Sequence, residues 1–278
     1  MYPRRSKGAP FQRLIPMTVG SSGRLLAITH TPTAALERGE RTYVRRDPID
    51  FPLALRQHAA YCAVLRDCGA DVTTLHVNPD FPDAVFVEDT AVVLDEVAIL
   101  ARSGATSRRG EVDGIEPTLR QYREVRRITA PATLDGGDVV VTNQAILVGA
   151  SSRTSEDGAR ALQELTSEFG YRVVRVPLRD CLHLKSACCA LPDGRLLVNP
   201  AWLDPAPLDD FTLLHIPERE PFAADFATVG DTIVVSAANP ETADLIRSLG
   251  FRVRAAVLSE FEKAEGGVTC LSLIFRTA

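Results

Sequence analysis

Four short polar clusters interrupt apolar stretches of this chain, and each holds side chains able to move protons or attack carbon. Glu88-Asp89 lies between Val85-Phe-Val and Ala91-Val-Val. Burying adjacent carboxylates is costly without a cationic or donor partner. Consecutive strand residues face opposite sides, so a strand reading turns at least one of the two inward. Perturbed carboxylates concentrate at functional sites. Asp135-Gly-Gly-Asp138 has, taken alone, the composition of a turn. His183, flanked by Leu182 and Leu184, suits a hydrogen-bonded core histidine as well as an acid–base catalyst. Gly266-Gly-Val-Thr-Cys270 puts two glycines ahead of a cysteine, which lets backbone approach a ligand closely. The alternative is a buried cysteine packing as a small hydrophobe. A cysteine nucleophile served by a distant histidine is one chemistry that these residue types could perform.

Elements must bring these clusters together. Three helices with apolar stripes share one kind of ending. The first spans Pro52 to Cys68 and stops at Gly69. The second spans Ser155 to Phe169, with Thr154 as cap and Gly170 as stop. The third spans Pro240 to Leu249, with Asn239 as cap and Gly250 as stop. A valine three residues beyond each glycine opens a strand. Between these units lie four hairpins, turning at Asp95-Glu96, Asn143-Gln144, Pro192-Asp-Gly194 and Gly230-Asp231. Recurring hairpin–helix–strand units predict a repeat architecture. An ordinary α/β sheet, where helix–Gly–strand joints are also frequent, is the alternative. In a closed propeller, equivalent points of each repeat converge on the axis, so clusters far apart in sequence could share one site.

Composition limits the function classes. The 278 residues suffice for two domains or one large one. A net charge of −5 argues against a nucleic-acid footprint. No apolar run approaches the roughly 20 residues of a membrane span. The start, Met1-Tyr-Pro-Arg-Arg, leads into no long apolar segment, so a secretory signal is not expected. Six cysteines without C-x-x-C spacing form neither a disulfide framework nor a zinc site, which points to a cytoplasmic protein with free thiols. Residues 1–23, rich in proline and glycine, read as a flexible leader.

Phe86-Val-Glu88-Asp89, Leu134-Asp135-Gly-Gly-Asp138-Val, Leu182-His183-Leu-Lys185-Ser186 and Gly266-Gly-Val-Thr-Cys270-Leu-Ser272 occur in that order. Together they resemble the motifs of the dimethylarginine dimethylaminohydrolases, members of the guanidino-modifying (pentein) superfamily. Pro82-Asp83, Ser107-Arg108-Arg109 and Ser152-Arg153-Thr154 fit the same pattern. Any one motif is weak; all of them in one order are specific. The resemblance spans about residues 24–276. It implies a five-bladed α/β propeller of pseudosymmetric ββαβ repeats, with residues 24–278 as a single catalytic domain. It implies Cys270 as nucleophile and His183 as general acid/base. Glu88, Asp89 and Asp135 would surround the guanidinium and the histidine. Asp83, Arg108 and Arg153 would bind the amino-acid end of the substrate, with a backbone contact at Ala264 and Leu36 on a mobile flap. The partner implied is a small-molecule guanidine, with no cofactor and no metal, bound by a monomer or homodimer.

The residue types suit that chemistry. A guanidinium is planar and cationic, and its N–H forks match carboxylates. A thiolate is nucleophilic enough to attack its central carbon, and the bound cation favours the thiolate. The implied reaction is hydrolysis of Nω-methylated arginine to citrulline and a methylamine through a covalent thiouronium. Arginine deimination or amidino transfer is the nearest alternative. A non-catalytic binder of arginine derivatives is the second, and the joint presence of His183 and Cys270 argues against it.

Overall fold

The structure, a computed structural model, describes residues 23–277; the expected leader falls almost wholly outside them. The apolar runs become short strands. They are β1 (Leu25–His30), β2 (Asp71–Leu75), β3 (Ala91–Val93), β4 (Val97–Leu100), β5 (Glu124–Arg127), β6 (Val139–Val141), β7 (Ile146–Ala150) and β8 (Val173–Pro177). The rest are β9 (Cys188–Ala190), β10 (Leu196–Val198), β11 (Leu213–His215), β12 (Phe226–Val229), β13 (Thr232–Ser236), β14 (Arg252–Ala256) and β15 (Leu273–Arg276). Among the described residues they form five three-stranded sheets of one pattern. A first strand pairs antiparallel with a middle strand, which pairs parallel with a third, as in β3-β4-β5, β6-β7-β8, β9-β10-β11 and β12-β13-β14. The fifth sheet, β15-β1-β2, takes its first strand from the C-terminal end and so closes the ring.

Middle strands are buried along nearly their whole length because sheet neighbours and packed layers cover them on every side; β4 and β13 are buried throughout. The parallel step from middle to third strand needs a crossover, and a helix supplies it in four blades. These are α1 (Phe51–Asp67), α2 (Glu111–Leu119), α3 (Glu156–Thr166) and α5 (Pro240–Ser248), while a one-turn α4 (Leu184–Ala187) leads into the β9-β10-β11 blade. That blade crosses over with only a 3₁₀ turn, Ala206–Leu208. A further one-turn helix, α6 (Ser259–Glu262), follows β14.

Local chemistry explains most boundaries. Gly69, Gly170 and Gly250 end their helical segments in the left-handed region (φ +90°, +84° and +94°), which glycine enters without steric cost. Two caps differ from expectation. Ser155, not Thr154, accepts the amide of Gly158 at the start of α3. Asn239 stands at the cap position of α5 without a side-chain bond; Glu220 reaches in and accepts the amides of Glu241 and Thr242 at 2.8 Å each. α2 lacks a sequence signature because Gly114 and Pro117 sit inside it. Among the described residues no helix is long and apolar enough to cross a membrane.

The first strands line the axis. Residues of β3, β6, β9, β12 and β15 surround a channel of about 250 Å³, with Glu88 and Lys185 also in its wall.

Candidate active site

The chemistry-bearing residues lie on the turns that lead into the first strands, not in the strands themselves. Val87–Thr90, Gly136–Asp138 and Thr269–Leu271 are 3₁₀ turns ahead of β3, β6 and β15. His183 leads into α4, which precedes β9. The expectation of Glu88 and Asp89 on opposite faces of a strand is therefore corrected. A 3₁₀ turn replaces the two-residue alternation, and both carboxylates are buried. The glycines between the clusters allow close packing of neighbouring turns. A Cβ on Gly136 would lie 2.0 Å from the carbonyl oxygen of Glu88.

His183 stands between two carboxylates. Its Nε2 is 3.2 Å from Asp135 Oδ2 and its Nδ1 is 3.7 Å from Asp89 Oδ1. Burial disfavours charge on the ring, yet Asp89 and the hydrogen bond with Asp135 outweigh it and push the pKa up to about 9. Burial also works against the Asp89 carboxylate, but His183 and Arg108 hold its pKa well below the ordinary range. Asp135 is fixed by the amide of Gly104, which donates to Oδ1 at 3.0 Å.

Arg108 is buried and committed. It donates to Asp89 at 2.5 Å, to both oxygens of Glu111, and to the carbonyls of Phe86 and Asp83. Arg153 is buried too, 3.7 Å from Asp135 Oδ2, and its Nη1 has no hydrogen-bond partner. Glu88 Oε1 accepts from Lys185 Nζ at 2.6 Å, while its buried Oε2 has no hydrogen-bond partner.

Cys270 is partly buried, and its Sγ accepts the amide of Gly267 at 3.4 Å. Burial and then the charges of Asp225, Glu88 and Asp89 push its thiol well above the ordinary range. Asp89 thus acts on both Cys270 and His183.

Asp83 is buried, and its Oδ2 accepts the amide of Glu40 at 3.1 Å. Ala264 is buried as well, in the hydrophobic cluster that includes Phe86 and Phe261. Leu36 is 1 % exposed within the same cluster. The chain just beyond it forms a strap. Ser107 Oγ donates to Glu40 at 2.5 Å, and the amides of Thr42 and Tyr43 donate to Glu265 at 2.6 and 2.8 Å.

Asp89, Asp135 and His183 could gather around a metal ion, since their ligand atoms lie within 4.8 Å of one another. Arg108 and Arg153 already place positive charge beside these carboxylates, so the set is balanced by guanidinium groups.

Sequence reasoning missed four contributors. Glu111 could have been suspected from its i,i+3 spacing to Arg108. Lys185 and Asp138 sit inside motifs already singled out, but their partners come from other blades. Asp225 carries the signal of a lone carboxylate in the apolar run Ala223-Ala-Asp-Phe-Ala.

Residues 29–187 match the family model described as N,N dimethylarginine dimethylhydrolase, eukaryotic. The chain is 36 % identical over 250 residues to the N(G),N(G)-dimethylarginine dimethylaminohydrolase of Pseudomonas aeruginosa, covering 89 % of this chain and 98 % of that one. The chain belongs to the dimethylarginine dimethylaminohydrolase family. The enzyme of that name from Streptomyces coelicolor is 39 % identical over 257 residues, covering 90 % of this chain and 96 % of its own. A solved structure of the Pseudomonas aeruginosa family member, a cysteine-to-serine mutant complexed with citrulline, superposes with a TM-score of 0.84 at 35 % identity. It covers 91 % of this chain and 99 % of that one. The family fold, a five-bladed α/β propeller, is the fold described above.

Proposed function

We propose that this family member hydrolyses Nω-methylated arginine to citrulline and a methylamine, with Cys270 as nucleophile. The observation that carries the reading is the pair of unsatisfied buried atoms, Glu88 Oε2 and Arg153 Nη1. A buried polar atom without a partner costs about 1–3 kcal/mol, more for a charged group. A carboxylate oxygen calls for a cationic N–H donor, and a guanidinium nitrogen calls for an anion. A substrate bearing a guanidinium at one end and a carboxylate at the other supplies both.

In this reading Asp89 and Glu88 receive the substrate guanidinium, with Arg108 holding Asp89 in place. Arg153 pairs with the α-carboxylate, supported by Arg108, and Asp83 takes the α-amino group. Ala264 contributes a backbone contact, and Leu36 anchors the strap that covers the substrate. Burial and then the surrounding anions keep the Cys270 thiol protonated before substrate binds. A bound cation reverses that field and favours the thiolate, the thiol proton leaving to solvent because His183 already carries its own. The thiolate attacks the guanidinium carbon, and a C–S bond forms. His183, charged at neutral pH, passes a proton to the departing amine as the C–N bond breaks. Asp135 orients the imidazole. Water then adds to the thiouronium carbon, with His183 taking its proton, and the C–S bond breaks to release citrulline.

Six cysteines without disulfides suit a reducing cytoplasm, where we place the enzyme. A citrulline-release assay across dimethylarginine, monomethylarginine and arginine tests the function. Citrulline from the methylarginines in preference to arginine is expected. No citrulline from any methylarginine overturns the reading, and preference for arginine replaces it with deimination.

A further inference from the structure

Two buried carboxyls occupy the same place in different blades. Asp138 immediately precedes β6 and Asp225 immediately precedes β12. Each reaches forward into the turn of the next blade. Asp138 Oδ1 accepts the amide of Leu184 at 3.0 Å, one residue after His183. Asp225 Oδ1 accepts the amide of Thr269 at 2.9 Å, one residue before Cys270. The two differ at the second oxygen. Hydroxyls of Ser151 and Thr154 saturate Asp138 Oδ2 at 2.5 and 2.6 Å. Asp225 Oδ2 has the Thr269 hydroxyl at 3.4 Å and lies against the backbone of Gly267, where a Cβ would come within 2.1 Å of it. Gly267 is the residue whose amide donates to Cys270 Sγ. Asp225 therefore braces both ends of the Gly267–Cys270 turn, one by contact and one by hydrogen bonds. It also lines a cavity of about 540 Å³ together with Leu182, Ser186, Gly266 and Gly267.

We propose that Asp225 is a positioning residue for Cys270, holding the turn that aims its sulfur and placing a negative charge beside it until substrate arrives. The proposal rests on the reading of Cys270 as nucleophile. A carboxyl inside Ala223-Ala-Asp-Phe-Ala is costly to bury, and strand pairing begins only at Phe226. The groups facing the thiol are Asp225, Glu88 and Asp89 as anions, Lys185 as cation and the Gly267 amide as donor. Burial and the neighbouring Glu88 push the pKa of Asp225 up to about 7, so it is ionised through the range in which the thiol titrates.

The experiment compares Asp225→Ala and Asp225→Asn in the full chain. Steady-state kinetics with dimethylarginine, thermal melting, and the pH dependence of iodoacetamide alkylation at Cys270 are measured for each. Asp225→Ala should lose on the order of 10²-fold in kcat, with KM within about threefold, as for an ångström-scale misplacement of a reacting group. Asp225→Asn keeps an acceptor for the Thr269 amide and should recover at least about tenfold of that loss. Its alkylation midpoint should fall by about one pH unit, because one anion beside the thiol is gone. If Asn and Ala lose kcat alike, or if the Asn alkylation profile coincides with that of the parent, the proposal is overturned. Should the Ala variant fail to fold, the alkylation profile of Asp225→Asn decides alone. The nucleophile reading fails separately, if Cys270→Ser keeps turnover.

Discussion

His183 Nε2 lies 3.2 Å from Asp135 Oδ2, across 48 residues of sequence and one blade of the propeller. Asp89 on the other ring nitrogen, and then that bond, push the imidazole pKa up to about 9 against the effect of burial. In Asp135→Asn the anion is gone and the ring pKa should fall from about 9 toward its ordinary value. The basic limb of the kcat profile should move down with it, and kcat should drop by about 10²-fold. Steady-state rates between pH 6 and 10, with imidazole NMR shifts, measure both.

Replacing Cys270 by serine should abolish citrulline release while leaving substrate binding. The hydroxyl keeps the shape of the thiol but is a far weaker nucleophile. Calorimetric titration with dimethylarginine beside an activity assay separates the two. A serine variant with full activity would remove Cys270 from the mechanism.

Arg153 should matter only to substrates with an amino-acid end. Arg153→Ala should raise KM for dimethylarginine by about 10²-fold, the scale of a lost charge-assisted pair of roughly 3 kcal/mol. Turnover of a dimethylguanidine lacking the carboxylate should change little. Equal losses on both compounds would show that Arg153 serves the fold instead.

Stability should carry the mark of His183. Its folded pKa, about 9, lies above the unfolded value near 6.5. The stabilisation from this group is complete below about pH 6.5 and disappears as pH rises through about 9, amounting to on the order of 3 kcal/mol. His183→Asn should flatten the decline of melting temperature between pH 7 and 9.5. A parallel decline in variant and parent would assign the loss to other groups.

Gly136→Ala should destabilise sharply without touching any ionisable group. The added methyl would meet the Glu88 carbonyl oxygen at 2.0 Å, and a buried backbone atom cannot step aside. A drop in melting temperature and loss of activity together are expected, and a near-normal melt would mean that the two turns are loosely packed.

The parts legible in sequence are those governed by neighbours along the chain. Stop glycines with φ near +90° end helical segments wherever they follow an apolar stripe, and hairpins form where turn residues separate apolar runs. Ordered short motifs carry the family because each must build its own turn. Where a motif's side chains go is a different matter. Glu88 and Asp89 read as strand residues because Val85-Phe-Val precedes them, yet packing against Gly136 and Gly137 winds them into a 3₁₀ turn. The resemblance puts Leu36 at a flap, and only the tertiary structure shows that its side chain is 1 % exposed, in the cluster with Phe86 and Phe261. Lys185 finds Glu88 at 97 residues' distance and Asp225 finds Thr269 at 44. Such pairs exist only once the C-terminal β15 joins β1 and the ring closes. Chain chemistry sets which turns form and which groups they carry. Closure of the propeller decides which groups meet, and so which carry a charge, because burial and cross-blade partners shift the pKa values of groups such as His183 and Asp89.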